Sequence, residues 1–445
     1  MAISDLAIIK RSLTARMFSA VTTVITVAVA VALMLTLLSM RDSGKAAFER
    51  GTGNMHLLIS RDSSPLVSVL NGVFYADPPA RSIDAPKLSE LRNKYQPAFS
   101  YFIPTQQGDS YRGMPVLATT EEFFSRFSPD PDFSPDDEET DGEPWQLAEG
   151  EFFDAPFEVV FGSTAAKETG VQVGDGIFVV HGTEVSRKAA DTAEQFSPHV
   201  HKDFEYRVVG ILEPTGSSHD RALFTDLTSS WIIHAHDRRQ AEDPTVTETT
   251  VTDLTPQDAL VTGIYGRVAT RAGSNVSAAI PAILSQLRAD TSITVAQPKE
   301  EIDTLFEIVG SIDQILIAMA AAVMVSSGIA IMLALYNSME QRRRQVAILR
   351  VLGCSRGRIV VLVLIESALL GLFGALLGLA GAFIGSQVVA SALKAQVGLV
   401  VEPLFDPTLT ASVVVAAVLL GAIAGLAPAI LAYRTSVSRN LRPIG

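Results

Sequence analysis

The chain has 445 residues, 48% of them hydrophobic and only 19% charged, a balance that excludes an ordinary soluble enzyme and points to membrane spans. A formal net charge of −13 argues against nucleic acid as a partner. The single cysteine, Cys354, excludes an intramolecular disulfide, so any large domain must be held by its own core.

A bilayer core about 30 Å thick takes about 20 apolar residues in helical form, because no water is present there to satisfy loose backbone groups. Residues 1–16 read as a cytoplasmic amphipathic segment. Residues 17–40, uncharged and bracketed by Arg16 and Arg41, read as the first span. Its length, and the lack of a small-residue cleavage site after Leu38, mark a retained anchor rather than a secretory signal.

Residues 41–307 form a large insertion with 42 acids against 22 bases. Short alternating apolar runs broken by glycine, proline and acids predict a mixed α/β domain. Phe157–Gly162 reads as a strand and Ser163–Thr169 as a short helix stopped by Gly170; Ile177–Val180 and Phe204–Leu212 read as further strands. The polar stretches Ser128–Pro144 and Asp237–Asp258 predict surface loops separating two subdomains. Asp42–Arg50 and Lys299–Ile308 have helical composition and predict a stalk.

All seven histidines lie in this insertion, six of them between His181 and His236. His199-Val200-His201 and His234-Ala235-His236 are H-x-H pairs, and on a strand both rings of a pair would share one face, as a zinc site requires. His219, followed by Asp220, adds a further candidate ligand. Neutral imidazole suits Zn or Cu. Solvated loop histidines and a pH-responsive surface are the other readings of the same pattern.

Residues 308–337, 359–390 and 409–433 supply three more spans. They leave a segment at 338–358, a short outer loop at 391–408 and a tail at 434–445. Lysine and arginine number 12 in residues 1–16, 338–358 and 434–445, against the two acids Asp5 and Glu340. This bias places those three flanks in the cytoplasm and residues 41–307 outside. In the third span Gly371, Gly374, Gly378, Gly381 and Gly385 form one small-residue stripe, and Gly421 and Gly425 add to it from the fourth. Close backbone approach drives helix association in lipid, and packing within the chain and a subunit interface both fit the stripe. After the second span, Ile348, Leu349 and Leu352 supply apolar knobs on a short arginine-rich helix suited to docking in a groove of a soluble partner.

Four spans with a large insertion between the first two, and the run Glu340-Gln341-Arg342-Arg343-Arg344-Gln345-Val346-Ala347-Ile348-Leu349-Arg350-Val351-Leu352-Gly353, resemble the FtsX-like permeases of the MacB and LolC/LolE type. So do the tail from Pro428 to Arg434 with Leu441-Arg442-Pro443, and Gly162-Ser163, Val173-Gly174-Asp175 and Val208–Leu212 in the insertion. That family usually has an acid where this chain has Gln345.

The resemblance implies the permease subunit of an ABC transporter complex in the cell inner membrane, both termini cytoplasmic and the large domain periplasmic. It implies a coupling segment with Glu340, Arg344, Ile348, Leu349, Arg350, Leu352 and Gly353, which receives the motion of a separate ATPase dimer that binds ATP and Mg. The other implied partners are a second copy or a related permease, an extracytoplasmic binding protein or lipoprotein, and the lipid bilayer. No catalytic residue is implied. A scaffold that regulates an envelope enzyme without moving cargo is the alternative within the family. A membrane-anchored metalloenzyme would be a third reading, but H-E-x-x-H is absent. The chain has no G-x-x-x-x-G-K-[ST] phosphate loop either, so ATP hydrolysis belongs to another polypeptide.

Overall fold

The computed structural model describes residues 5–14, 17–136, 144–182, 201–271, 274, 276–351, 353–397 and 401–434. Two compact units divide it: Met1–Ser43, Ile308–Ala392 and Pro403–Gly445 form one, and Gly44–Glu307 with Leu393–Glu402 the other. In chain order the elements begin with α1 (Asp5–Thr14), α2 (Met17–Thr52), β1 (Leu57–Ser60), α3 (Pro65–Gly72) and α4 (Ala85–Tyr95). Next come β2 (Phe99–Tyr111), β3 (Met114–Thr119), α5 (Glu122–Arg126), β4 (Leu147–Gly150), β5 (Glu158–Phe161), α6 (Ser163–Thr169), β6 (Gly176–Ile177) and β7 (Val180–His181). They are followed by β8 (Tyr206–Leu212), β9 (Leu223–Asp226), α7 (Leu227–Glu242), β10 (Gly263–Val268), α8 (Ile280–Arg288) and β11 (Thr294–Ala296). The last helices are α9 (Pro298–Val351), α10 (Arg356–Val397), α11 (Pro407–Ala424) and α12 (Leu426–Arg434).

Among the described residues, the helical segments long and apolar enough to cross a membrane are Met17–Thr52, Gln314–Asn337, Arg356–Leu393 and Pro407–Arg434. The glycines of α10 lie where other helices come against its backbone. A β-carbon at Gly374 would sit 2.5 Å from Val27 Cβ, and one at Gly378 would sit 2.6 Å from Val31 Cβ and 2.7 Å from the Ala28 carbonyl. Gly381 and Gly385 leave more room, 3.3 Å to Ala32 Cβ and 3.2 Å to Thr36 Oγ1. Gly371 turns to α11, with the Ala417 carbonyl 2.9 Å from its β position; from α11, Gly421 meets the Ser367 carbonyl at 2.9 Å, and Gly425 packs on the Ser367 side chain. The stripe therefore packs within the chain, with α2 on one stretch and α11 on the other. Two serines one turn apart on α2 satisfy the backbone of the loop before α11: Ser39 Oγ donates to the Leu404 carbonyl and Ser43 Oγ accepts from its N–H, both at 2.8 Å.

The second unit is built on an eleven-stranded sheet in the order β11-β1-β10-β2-β3-β9-β5-β8-β4, with β6 on β8 and β7 on β2. The long strand β2 joins its two halves, pairing with β10 through residues 99–105 and with β3 through residues 106–111. One sheet thus runs through the whole insertion where the polar stretches predict two subdomains. Helix α6 stops at Gly170, whose φ of 69° is the left-handed cap that the sequence anticipates. The expected strand Ile177–Val180 is divided into β6 and β7. Asp237–Glu242, expected as loop, is the last part of α7, which Asp226 caps by accepting from the Thr228 N–H at 2.8 Å. Asp42–Arg50 and Lys299–Ile308 are helical, within α2 and α9, and Phe48 meets Phe306 with ring centroids 5.5 Å apart.

His219 is a core residue rather than a ligand. Its ring is fully buried, and Phe123, Phe127, Trp145 and Phe224 surround it at centroid distances of 6.1, 5.4, 5.8 and 6.3 Å. Nε2–H donates to the Gly51 carbonyl at 2.9 Å, which leaves Nδ1 to accept from the Tyr75 hydroxyl at 2.7 Å. Both nitrogens are committed, so no lone pair is available to a metal. Burial pushes its pKa down to about 4, against the opposing pull of the Gly51 bond.

Two outcomes follow from these contacts. Gly378→Leu lowers the melting temperature of the detergent-solubilised chain, a cost of about 3 kcal/mol from overpacking against Val31 and Ala28, whereas Gly381→Ala costs less than half of that. The fall in pH from the ordinary histidine value of 6.5 to about 4 protonates His219 in the unfolded chain before the folded one. The stability it contributes is therefore complete above the upper value and lost on the way to the lower, about 3 kcal/mol in all. Melts followed by tryptophan fluorescence should show a steeper acid slope for the natural chain than for His219→Phe; equal slopes would contradict this assignment.

Candidate functional site

Strands β2 and β7 are antiparallel and set Asp109 opposite His181. Just there the register of β2 against β3 shifts between Gln107 and Ser110, a bulge of the kind that re-aims a side chain. Asp109 is buried, and its Oδ1 accepts from His181 Nδ1 at 3.1 Å. The N–H of His201 donates to the Val179 carbonyl at 3.2 Å, which brings this buried histidine beside β7. His201 Nε2 lies 3.8 Å from Asp109 Oδ1 and its Nδ1 the same distance from Asp237 Oδ2. His234 comes from α7, and one donor atom each of Asp109, His181 and His234 lie within 4.8 Å of one another. The His181 ring is perpendicular to those of His201 and His234, with centroids 6.5 and 6.1 Å away.

The electrostatics of the cluster follow from this packing. Burial alone would push the Asp109 carboxyl up, but the His181 hydrogen bond and the charges of His234, His201 and His181 outweigh it and hold it below the usual carboxylate range. Its bond to Asp109 raises His181 in turn, against partial burial. His234 Nδ1 is buried without a hydrogen-bond partner among the described residues.

Of the five histidines singled out by spacing, His201 and His234 come together, and His219 and His236 do not; His199 lies outside the described residues. The strand geometry assumed for His234 and His236 fails because both lie on α7, where residues two apart point about 200° away from each other. His236 turns instead to Thr249 Oγ1 at 2.9 Å and packs edge-on against Phe204. Asp109 and His181 were missed by spacing alone. The available signal was slight: Asp109 is the one acid in the polar run Thr105–Ser110 that follows Tyr101–Ile103, and a buried acid requires a partner.

The segment after the second span takes a different form from the short helix expected there. No proline occurs between Pro298 and Gly353, and α9 continues as one helix to Val351. Gly353, close behind it, is left-handed at φ 94°. Val346 and Ala347 are buried with Ile359, Val363, Ala429 and Ala432, while Ile348 and Val351 are 45% and 64% exposed. Arg350 is half-buried. Leu352 and the side chains of Glu340, Arg344 and Leu349 lie outside the described residues. The Arg356 guanidinium stacks 5.5 Å over the Tyr433 ring. In the sheet unit a cleft of about 550 Å³ is lined by Glu121, Phe124, Trp145, Phe152, Phe153 and Asp154.

Residues 20–283 match the MacB-like periplasmic core domain, and residues 317–437 match the FtsX-like permease C-terminal region. Comparison with curated proteins gives no match. The first of the two matches covers more than half of the chain, and together they reproduce the observed order of one apolar helix, a sheet domain and three further apolar helices. The chain therefore belongs to the FtsX/MacB-type family of ABC permeases.

Proposed function

We propose that this permease works by mechanical transmission. A separate ATPase dimer binds ATP and Mg and docks on residues 338–358; its movement shifts the spans, and the inserted domain rearranges to push, release or extract a substrate outside the membrane. A second copy of the chain, or a related permease, supplies the other half of the complex. The arginine bias supports this orientation, with this segment and both termini in the cytoplasm and the insertion on the far side of the inner membrane. Permeases of this family work with ABC ATPases and are transport components rather than enzymes.

The observation that carries the reading is the end of α9. Its inner side chains, Val346 and Ala347, hold it in the helix packing, while Ile348 and Val351 remain exposed among arginines. An apolar pair within a basic segment suits a groove on a soluble partner. The cleft lined by Phe124, Trp145, Phe152 and Phe153, with Glu121 and Asp154 beside them, favours an amphiphilic substrate or an apolar side chain of an extracytoplasmic partner.

Replacing Ile348 with aspartate should cut co-purification of the ATPase at least ~10-fold, about 1.4 kcal/mol, with the melting temperature of the permease unchanged. Leu349→Asp combined with Leu352→Asp should do the same. Val346→Asp should instead lower the melting temperature, because it puts a charge into a packed site. Full ATPase retention by the Ile348 and Leu349/Leu352 variants would remove the coupling role from this segment.

A further inference from the structure

We infer that Asp109, His181, His201 and His234 form a binding site for one divalent transition-metal ion, Zn²⁺ being the ion that their chemistry fits best. Three imidazoles and one carboxylate are a borderline-soft set that suits zinc and copper far better than magnesium or calcium, which take oxygen ligands. The spacing agrees. Bonds of about 2.0 Å in a tetrahedral site put neighbouring donors about 3.3 Å apart; Asp109 Oδ1 is 3.1 Å from His181 Nδ1 and 3.8 Å from His201 Nε2. A donor of His234 completes a group with Asp109 and His181 inside 4.8 Å.

Two further observations point to a ligand rather than to histidines that merely share a carboxylate. The buried His234 Nδ1 has no hydrogen-bond partner among the described residues, so the ring is not held by a hydrogen bond through that nitrogen. Asp237 stands behind His201, 3.8 Å from Nδ1, on the side away from Asp109; a carboxylate there orients a ligating imidazole and leaves Nε2 for the metal. The four residues come from β2, β7, the loop before β8, and α7, so an ion on them cross-links segments far apart in sequence. Metal binding at such a site adds directly to the stability of the fold.

The test uses the full-length chain in detergent or nanodiscs, stripped with chelator and titrated with ZnCl2. Equilibrium dialysis should find one tightly held Zn²⁺ per chain, and the tryptophan-fluorescence melt should move upward with zinc; Trp231, one turn from His234 on α7, places a reporter at the site. His181→Ala and His234→Ala should each weaken zinc binding at least ~10-fold, as should Asp109→Asn. His181 is more than half exposed, so its removal leaves folding intact, as an unchanged zinc-free melt would show. His236→Ala, on the opposite side of α7, should bind like the natural chain. Undiminished zinc binding in the His181→Ala/His234→Ala double variant, no retained zinc in the natural chain, or an equal melting shift with MgCl2 would each overturn the assignment.

Discussion

Hydrocarbon offers no hydrogen-bond partners, and that constraint shapes the first unit. Every backbone group within it must be satisfied by the chain itself, so the apolar segments are helices. Lipid tails are as apolar as leucine, so the helices are held by close contact rather than by expulsion of water. Gly374 and Gly378 supply that closeness against Val27 and Val31, where any side chain would overlap its neighbour. Where the backbone leaves regular structure before α11, Ser39 and Ser43 take over the hydrogen bonding of Leu404.

The same constraint sends the polar chemistry elsewhere. All seven histidines lie in the insertion, where water and a β-sheet allow charged groups to be solvated or paired. Its connection to α2 shows how fully the polar groups are used. The chain leaves the helix through Gly53, at φ 52°, and the next residue is a hub: Asn54 Nδ2 donates to the Arg126 carbonyl at 3.0 Å, and Oδ1 accepts from the Tyr101 hydroxyl at 2.9 Å and the Ser128 N–H at 3.1 Å. Buried Arg267 donates to the Asn54 carbonyl at 2.6 Å. These buried bonds favour one geometry for the junction, because breaking any of them strands a buried polar group.

The spans and the α/β class of the insertion were legible because both rest on local pattern: uninterrupted apolar length in one case, alternation and Gly170 in the other. The separate short helix expected after the second span is instead the end of α9, because an arginine-rich run has good helix propensity and α9 runs on to Val351, shortly before Gly353 at φ 94°. Sheet order was out of reach for a different reason. The pairing of β3 with β9, in parallel, joins strands about 100 residues apart in the chain, and the Asp109–His181 pair depends on a one-residue irregularity in β2 that no spacing rule encodes.

The histidines show most clearly why residue type and spacing do not define a site. His219 and His201 are both buried within the same domain, but their surroundings differ in kind. Around His219 the neighbours are aromatic rings, a carbonyl and a hydroxyl, groups that stabilise only the neutral imidazole and use both of its nitrogens. Around His201 they are carboxylates, Asp109 on one side and Asp237 on the other, and carboxylates attract positive charge, whether a proton or a metal ion. What separates the packing residue from the proposed ligand is the acid that the bulge in β2 brings to this cluster, a decision made by tertiary pairing and not by the H-x-H pattern.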